Sequence, residues 1–153
     1  MNRRILVQHV LALFSVLAGP FHARAQNAES QSEDFQKLLK SHTQGAKIQS
    51  GKIQLTIPRL ADNGHSVPLK ISVDSPMTEN EYVKTLLILS PRNPRPLVSK
   101  MHFSPRGTKL NVQTRVRLNG SQSIWVFAQM SDLTWHGQSA EVEVTESACL
   151  DAS

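Results

Sequence analysis

The clearest β-strand of the sequence lies in the stretch Leu110-Asn111-Val112-Gln113-Thr114-Arg115-Val116-Arg117-Leu118-Asn119-Gly120. Apolar or β-branched side chains occupy every second position from Leu110 to Leu118, and polar or charged side chains lie between them. Because successive side chains of a strand point to opposite faces, this alternation predicts one buried and one exposed face. The Asn119-Gly120 pair favours a hairpin turn, and we expect it to pair this strand with a strand from Ser123 to Met130.

Six other segments have the composition of short β-strands. Most alternate apolar and polar side chains, while residues 82–89 are apolar on both faces, which predicts a central strand. Turn residues such as Asn63-Gly64 separate the segments, and no helical period lies between one strand and the next. The six segments are residues 52–57, 67–73, 82–89, 97–103, 123–130 and 140–145. Their order predicts an all-β fold over residues 47–145, an immunoglobulin-like antiparallel β-sandwich of about seven strands.

The first 25 residues have the organisation of a secretory signal peptide. Arg3 and Arg4 form a basic start, residues 10–18 are apolar, and Ala23-Arg24-Ala25 provides small residues for cleavage. The apolar run is shorter than the roughly 20 residues that span a membrane. We therefore expect an exported, periplasmic protein without a membrane anchor. The adjacent arginines are compatible with either the twin-arginine or the general secretory route.

Residues 26–46 are predicted to form a polar segment followed by a short N-terminal helix. We expect Gln26 to Gln31 to be disordered because they are small and polar. Ser30 and Glu33 have the spacing of a capping box, and the helical period ends near Gly45. The apolar stripe of this helix consists of Phe35, Leu38, Leu39 and His42. Such a stripe packs on the domain's own sheet or on a partner, and we expect the former.

The charge of the chain gives little support for a nucleic-acid partner. The full sequence has 17 basic and 12 acidic side chains, but loss of the signal peptide removes three arginines and no acid, which leaves 14 basic residues. Nucleic-acid interfaces are strongly basic, and this sequence has no run of lysine or arginine. Four arginines are either candidates for attracting a small anion or part of an ordinary solvated face: Arg92, Arg95, Arg115 and Arg117.

Few side chains have the spacing of a catalytic or metal site. The histidines of the mature chain are far apart in sequence: His42, His65, His102 and His136. We expect His65 and His102 to be surface residues. Neither a Gly-x-Ser-x-Gly elbow nor a phosphate-binding loop occurs, so we expect neither a metal site nor a self-contained hydrolase. Trp125 and Trp135 are candidates for either a protein interface or the core.

Cys149 is the only cysteine of the chain and lies four residues before its end. A single thiol in an exported protein has no internal disulfide partner, so an intermolecular bond or a reactive group is indicated. It follows the last predicted strand by four residues, which in an extended chain reach roughly 13 Å. Residues 146–153 are therefore a candidate arm that carries the thiol into a cleft of another protein. The other interpretation is that Leu150 docks on the sandwich and Cys149 packs beside it.

Short motifs between Leu55 and Cys149 occur in the order and spacing of one known family. In these motifs the chain resembles SoxY, the sulfur-carrier subunit of the periplasmic thiosulfate-oxidising Sox system. Each motif is short and weak evidence alone, but all of them occur in the same order and spacing as in that family. The motifs are Ile57-Pro58-Arg59-Leu60-Ala61-Asp62-Asn63-Gly64, Val67-Pro68, Pro76-Met77, Tyr82-Val83-Lys84, Asn93-Pro94-Arg95-Pro96, Phe103-Ser104-Pro105, Thr114-Arg115-Val116-Arg117, Met130-Ser131-Asp132 and Val142-Glu143-Val144-Thr145.

The resemblance implies a function for the arm. It implies that the sandwich forms a heterodimer with a SoxZ subunit and holds sulfur-oxidation intermediates covalently on Cys149. A Sox cytochrome and a Sox hydrolase would load, oxidise and release the sulfur, so that the chain itself is a carrier without a cofactor and not an enzyme. A second interpretation is a binding or assembly module that keeps the fold but carries no sulfur.

The sequence around Cys149 departs from the family pattern. The arm of the family ends in Gly-Gly-Cys-Gly-Gly, whereas this chain reads Ser147-Ala148-Cys149-Leu150-Asp151. Side chains in place of glycines restrict the backbone and widen the arm. Glu146, Asp151 and the terminal carboxylate also disfavour a thiolate. We therefore expect the thiol to become reactive only inside the basic cleft of a partner.

Overall fold

β-Strands dominate the computed structural model, which describes residues 22–105 and 108–147. Most of the predicted signal peptide lies outside the described residues, and so does Cys149 with its neighbours from residue 148 onward. The described elements are α1 (His22–Thr43), β1 (Ile48–Gln49), β2 (Ile53–Thr56), β3 (Leu60–Asn63), β4 (Val67–Val73), β5 (Val83–Leu89), β6 (Leu97–His102), β7 (Leu110–Val116), β8 (Gln122–Met130) and β9 (Trp135–Glu146).

The strands form two sheets that pack face to face. The larger sheet has the order β1-β9-β8-β5-β6, with β3 beside β9, and the smaller has the order β2-β4-β7. The seven predicted strands correspond to β2 and β4 to β9, and their pairings are antiparallel. The two additional strands, β1 and β3, are short and run parallel to β9. The chain is an all-β, immunoglobulin-like sandwich, as predicted.

The main core lies between the two sheets because each sheet turns one alternating face inward. Leu69 and Ile71 of β4 are buried there, and so are Leu86 and Ile88 of β5 in the opposite sheet. β5 lies between β6 and β8 and is buried on both faces, which confirms the prediction of a central strand. Burial of each such side chain contributes about 1.5–3 kcal/mol.

Helix α1 covers the outer face of the larger sheet. Phe35 is buried, and its ring centroid lies 5.6 Å from that of Trp125, which stacks on Phe127 at 6.0 Å. Leu38 and Leu39 pack against the same cluster. The predicted apolar stripe therefore packs on the domain's own sheet and gives that sheet a second buried face.

The helix begins earlier than the sequence pattern indicates. It starts at His22 and includes Gln26 to Gln31, which we expected to be disordered. Seven of the ten residues from His22 to Gln31 are alanine, glutamine, arginine or glutamate, which have high helix propensity, and this explains the difference. No helix in the described part of the chain is long and apolar enough to cross a membrane.

The predicted hairpin at Asn119-Gly120 is wrong. β7 pairs with β4 along its whole length, whereas β8 pairs with β5 and β9 in the other sheet. Gly120 does turn the chain, with a φ of 81°, but the turn carries it from one sheet to the other. A turn pair determines only local geometry, and burial decides the strand partners. Leu118, just before the turn, is fully buried between the sheets.

β9 is longer than predicted and begins at Trp135. Trp135 and His136 are both buried, so the alternation that marks a one-sided strand is absent at its start. Trp135 is buried in the cluster beneath the helix, and Trp125 is partly buried against the same cluster, so both tryptophans pack in this core. Gly137 is required in β9 because a Cβ there would lie 2.6 Å from Cγ2 of Ile48 and 2.9 Å from the ring of Phe127.

Candidate functional site at the base of the C-terminal arm

β9 leads the chain to the predicted cysteine arm. The strand ends at Glu146, and Ser147 is the last residue that the structure describes. Cys149 lies outside the described residues. The part of the site that the structure defines is therefore the end of β9 and the segments that hold it.

β3 holds one side of the end of β9. Asn63 lies opposite Glu146 in the parallel register, and the N–H of Gly64 donates a 2.8 Å hydrogen bond to the Glu146 carbonyl. On the other side of β9, the register with β8 ends at Val142. The last residues of β9 thus have a strand partner on one side only.

The side chain of Ser121 takes the place of the missing strand partner. The N–H of Val144 donates to Oγ of Ser121 at 2.8 Å, and the same hydroxyl donates to the Val144 carbonyl at 3.5 Å. Backbone polar groups at a strand end need a partner from protein or water. Ser121 supplies one without extending β8, so the chain leaves the sheet just beyond this point.

Gln122 joins the proline-rich loop to the turn that carries Ser121. Its Oε1 accepts hydrogen bonds from the Ser90 hydroxyl at 2.7 Å and from the N–H of Arg92 at 2.9 Å. Its Nε2 donates to Oδ1 of Asn93 at 3.2 Å and to the Gly120 carbonyl at 3.4 Å. Gln122 is only 9% exposed, so these contacts satisfy a buried amide that would otherwise be destabilising.

Asn93 completes the connection between the loop and the turn. Its Oδ1 also accepts from the N–H of Asn119 at 2.9 Å, and its Nδ2 donates to the Arg117 carbonyl at 2.8 Å. Residues 90–96 and 117–122 therefore form one hydrogen-bonded unit next to the end of β9. We call this unit, together with residues 144–147, the arm base.

Arg92 brings a positive charge to the arm base. Gly120 is left-handed, and a Cβ on it would lie 3.2 Å from Oγ of Ser147 and 4.0 Å from Cζ of Arg92. The Arg92 guanidinium also donates to the Ser121 carbonyl. The absence of a side chain on Gly120 thus leaves room for the Ser147 side chain, and the Arg92 guanidinium lies near the same position.

The other candidate arginines differ from Arg92 in the contacts of their side chains. Arg115 donates from Nε to the Ser66 hydroxyl and from Nη2 to the Ser66 carbonyl. Arg95 and Arg117 are exposed. Arg95 and Arg117 belong to the arm base as well, but among the described residues only Arg92 of these three donates a side-chain hydrogen bond within it.

The histidines are dispersed, and no pattern in the sequence indicated that one of them is buried. His65 and His102 are exposed, as predicted. Burial, with a smaller effect of Lys100, lowers the pKa of His42 below its usual value. His136 is 5% exposed, and its Nδ1 has no hydrogen-bond partner among the described residues. Within residues 22–105 and 108–147, no group of three His, Cys, Asp or Glu side chains is placed to hold a metal ion.

Sequence reasoning predicted the arm, most of which lies outside the described residues, and missed the residues that hold the end of β9. Asn93, Ser121 and Gln122 have side chains that are common in exposed turns, so their identity alone does not mark a buried connection. Asn93 does lie in the Asn-Pro-Arg-Pro motif, which offered the clearest available hint.

Comparison with known proteins identifies the family. The profile of the family described as "Sulfur oxidation protein SoxY" matches residues 39–149, more than half of the chain, and the match ends at Cys149. The chain belongs to the SoxY family. This result confirms the resemblance found in the short motifs. No curated protein sequence gives a significant match.

Solved structures share the fold of this SoxY-family chain. The sulfur carrier protein SoxY from Chlorobium limicola f thiosulfatophilum superposes with a TM-score of 0.63 at 24% identity, covering 74% of this chain and 98% of the other. A superoxide reductase (neelaredoxin) from Ignicoccus hospitalis has a TM-score of 0.53 at 13% identity, covering 61% and 80%. At these identities the likeness shows the fold alone.

Proposed function

We propose that this protein is a periplasmic sulfur carrier that holds sulfur-oxidation intermediates covalently on Cys149 and presents them to enzymes of thiosulfate oxidation. The observation that carries the proposal is the arm base: the backbone is anchored up to Glu146, and the family match ends at Cys149, three residues further. Three extended residues reach about 10 Å. A thiol on such a short segment, beyond a fixed base, suits delivery into a partner's cleft.

Loading of the thiol is an oxidation that requires a partner. The sulfur of Cys149 and the outer sulfur of thiosulfate form an S–S bond, while the thiol proton and two electrons leave. A Sox cytochrome accepts the electrons, and the product is a cysteine S-thiosulfonate. A hydrolase then adds water, releases sulfate and leaves a persulfide on Cys149. In this scheme the chain is a covalent substrate holder, and the catalytic groups belong to the partners.

The proposed carrier also has a partner subunit, an export signal and charged groups near its cysteine. The chain works as a heterodimer with a SoxZ-like subunit, and the signal peptide Met1–Ala25 directs it to the periplasm. Arg92 offers a positive charge at the arm base, where it favours an anionic group carried two residues beyond Ser147. The acids near Cys149 act against a free thiolate, so the thiol is activated within a basic cleft of the partner enzyme.

Intact-mass analysis of the protein purified from its native host tests the proposal. We expect adducts with the mass of a thiosulfonate or of additional sulfur, mapped by peptide analysis to Cys149. The variant Cys149→Ser is the control and should show no such adduct. A Cys149 that is unmodified during growth on thiosulfate, and resists alkylation in the folded protein, would exclude the carrier function.

A second candidate is a binding or assembly module of a periplasmic complex that carries no sulfur. It is favoured by one observation, the absence of glycine on either side of Cys149 in Ser147-Ala148-Cys149-Leu150-Asp151. Alkylation of the folded protein separates the two candidates, because a carrier must expose its thiol. Alkylation of the folded protein, at no more than the rate of an ordinary exposed thiol, favours the carrier, and protection until unfolding favours the module.

A further inference from the structure

Helix α1 is held on the outer face of the larger sheet by few contacts. Among its described side chains only Phe35 and Thr43 are buried, while Leu38 and Leu39 are partly buried against the sheet. The side-chain hydrogen bonds and ion pairs that the described part of α1 makes all lie within the helix itself. An element held by so few apolar contacts belongs to the low end of local stabilities.

The last turns of α1 are also incompletely packed on the side of β1. An open groove of about 470 Å³ lies there, with Leu39, Thr43 and Ile48 among its lining residues. The family match begins at residue 39, so Phe35 and most of α1 precede it. The attachment of this helix is therefore a feature of the present chain that the family match does not account for.

His42 places a titratable group in the contact between helix and sheet. It is the last member of the apolar stripe of α1 and is half-buried. Lys100 of β6 lies opposite Leu87, whose side chain is buried in the cluster beneath the helix, so Lys100 is on the face that α1 covers. Burial and, less strongly, the charge of Lys100 lower the pKa of His42. Both effects disappear when the helix leaves the sheet.

The other charged groups around this contact give His42 no compensating partner. None of the ion pairs in the described residues involves His42. β1 and β8 carry no charged side chain, and β9 is separated from β6 by β8 and β5. The carbonyl end of the helix favours a cation at this position and is the opposing influence. The charged or titratable groups of the adjoining segments are Lys40 and Lys47 at the end of α1, Lys100 and His102 on β6, Lys84 on β5, and Glu33 and Asp34 about two turns back in the helix, where they contact Lys37.

We propose that α1 is a pH-sensitive cover of the larger sheet, and that protonation of His42 releases it from the apolar cluster beneath it. The undocked helix binds the proton more readily, because His42 then has its ordinary pKa of about 6.5. Docking is therefore strongest above that pH and weakens as the pH falls below it. Release would uncover the outer face of the sheet, where Phe127, Trp125 and Trp135 lie.

The proposal does not depend on the carrier function, but that function would give it a setting. A protein exported from the cytoplasm is exposed to the pH of its surroundings. Oxidation of thiosulfate to sulfate takes its oxygen from water and releases protons. Sulfur oxidation would thus provide one source of the acid that shifts α1 from the docked to the undocked state.

Amide hydrogen exchange of the mature protein, corrected for the intrinsic rate at each pH, tests the proposal. A helix of this length is marginally stable in water on its own, so undocking should appear as faster exchange at residues 35–43. We expect protection of these amides to fall about three- to tenfold between about pH 7.5 and about pH 5.5, because each unit of pKa difference changes the docking equilibrium by up to tenfold. The central strand β5 should keep its protection.

Four variants determine whether His42 is the responsible group. His42→Gln and His42→Leu remove the titration, the first with a polar and the second with an apolar side chain, and both should abolish the fall in protection. Lys100→Gln should reduce it. His65→Asn changes an exposed histidine of the loop after β3 and should behave as wild type.

Two results would overturn the pH-sensitive cover. One is constant protection of residues 35–43 in wild type over this pH range, and the other is a fall of the same size in both His42 variants. Neither result affects the carrier function, which is tested separately by the mass of Cys149 adducts.

Discussion

β9 begins and ends in different ways. At its start, the turn from β8 closes on itself: Met130 donates from its N–H to the Thr134 carbonyl at 2.9 Å, and Leu133 donates to the Met130 carbonyl at 3.0 Å. At its end, β9 is held by segments that are distant in sequence, among them Gly64 of the loop after β3 and Ser121. The first arrangement returns the chain to the sheet. The second fixes the strand up to Glu146, and Ser147, the last described residue, has no strand partner.

The polar groups at the two ends are also organised differently. Near the start, Lys52 and Glu81 form a 2.7 Å ion pair on the wall of an open concavity of about 350 Å³ that His136 also lines. Near the end, the side-chain amides of Gln122 and Asn93 connect the proline-rich loop to the turn before β8, without an ion pair among the described residues. The end of β9 that leads to the predicted arm is therefore positioned mainly by hydrogen bonds between neutral groups, which change little with pH or salt.

The largest expected effect comes from removing the buried hub at the arm base. Gln122→Ala leaves the Ser90 hydroxyl and the N–H of Arg92 without their acceptor in a buried setting. We expect a loss of about 3 kcal/mol in the free energy of unfolding, measured by urea denaturation. The control Gln113→Ala, exposed on β7, should change it by less than about 0.5 kcal/mol. Equal effects of the two variants would show that the arm base is not a stabilising unit.

A smaller loss is expected from adding one methyl group at the start of β9. Gly137→Ala places a Cβ within 2.6 Å of the Ile48 side chain and 2.9 Å of the Phe127 ring. Overpacking of this kind costs about 2 kcal/mol, again measured by urea denaturation. The neighbouring exposed residue provides the control, since Gln138→Ala has no such contacts to displace. If both variants unfold at the wild-type urea midpoint, this result would contradict the close packing of β1 and β8 against Gly137.

The contrast between the ends explains how much of the structure the sequence could reveal. The seven main strands and the stripe of α1 follow from periods that are contained within each element. β1 and β3 have two and four residues and pair in parallel with a distant strand, so no local period marks them. The arm base depends on contacts such as Arg92 to Gln122, which are 30 residues apart. Cys149 could be proposed as a site because a lone thiol is visible in the composition itself, and its role stays a prediction.

A local effect without much loss of global stability is expected from Ser121→Ala. This variant removes the acceptor of the Val144 N–H and should cost about 1 kcal/mol. Amide hydrogen exchange should become faster at Val144, because β8 supplies no register partner there. Met130, whose N–H is bonded within the turn at the start of β9, serves as the internal reference and should keep its exchange rate. Unchanged protection of Val144 would show that Ser121 does not hold the end of the strand.

The smallest expected effect is a pH dependence confined to the start of β9. The Thr134 hydroxyl and the Thr134 N–H both donate to Oδ1 of Asp132 and lower the pKa of this carboxyl, the hydroxyl more strongly. Burial raises the pKa slightly, and His136 and Lys52 lower it by weaker electrostatic effects. Because the pKa in the folded state is below the unfolded value of about 4, the ionised form stabilises the fold above that pH. The contribution is lost as the pH falls through the folded pKa. Since Asp132 is exposed, we expect less than about 0.5 kcal/mol.

Asp132→Asn isolates this contribution because the amide oxygen can still accept both bonds from Thr134. Urea denaturation between about pH 6 and about pH 3 should show a smaller fall in stability for the variant than for wild type. Thr134→Val removes the stronger of the two donors and should reduce the same pH-dependent component, with no further pH effect when combined with Asp132→Asn. Parallel pH profiles of wild type and Asp132→Asn would show that Asp132 does not contribute to the pH dependence of stability. The two ends of β9 would then not differ in this electrostatic respect.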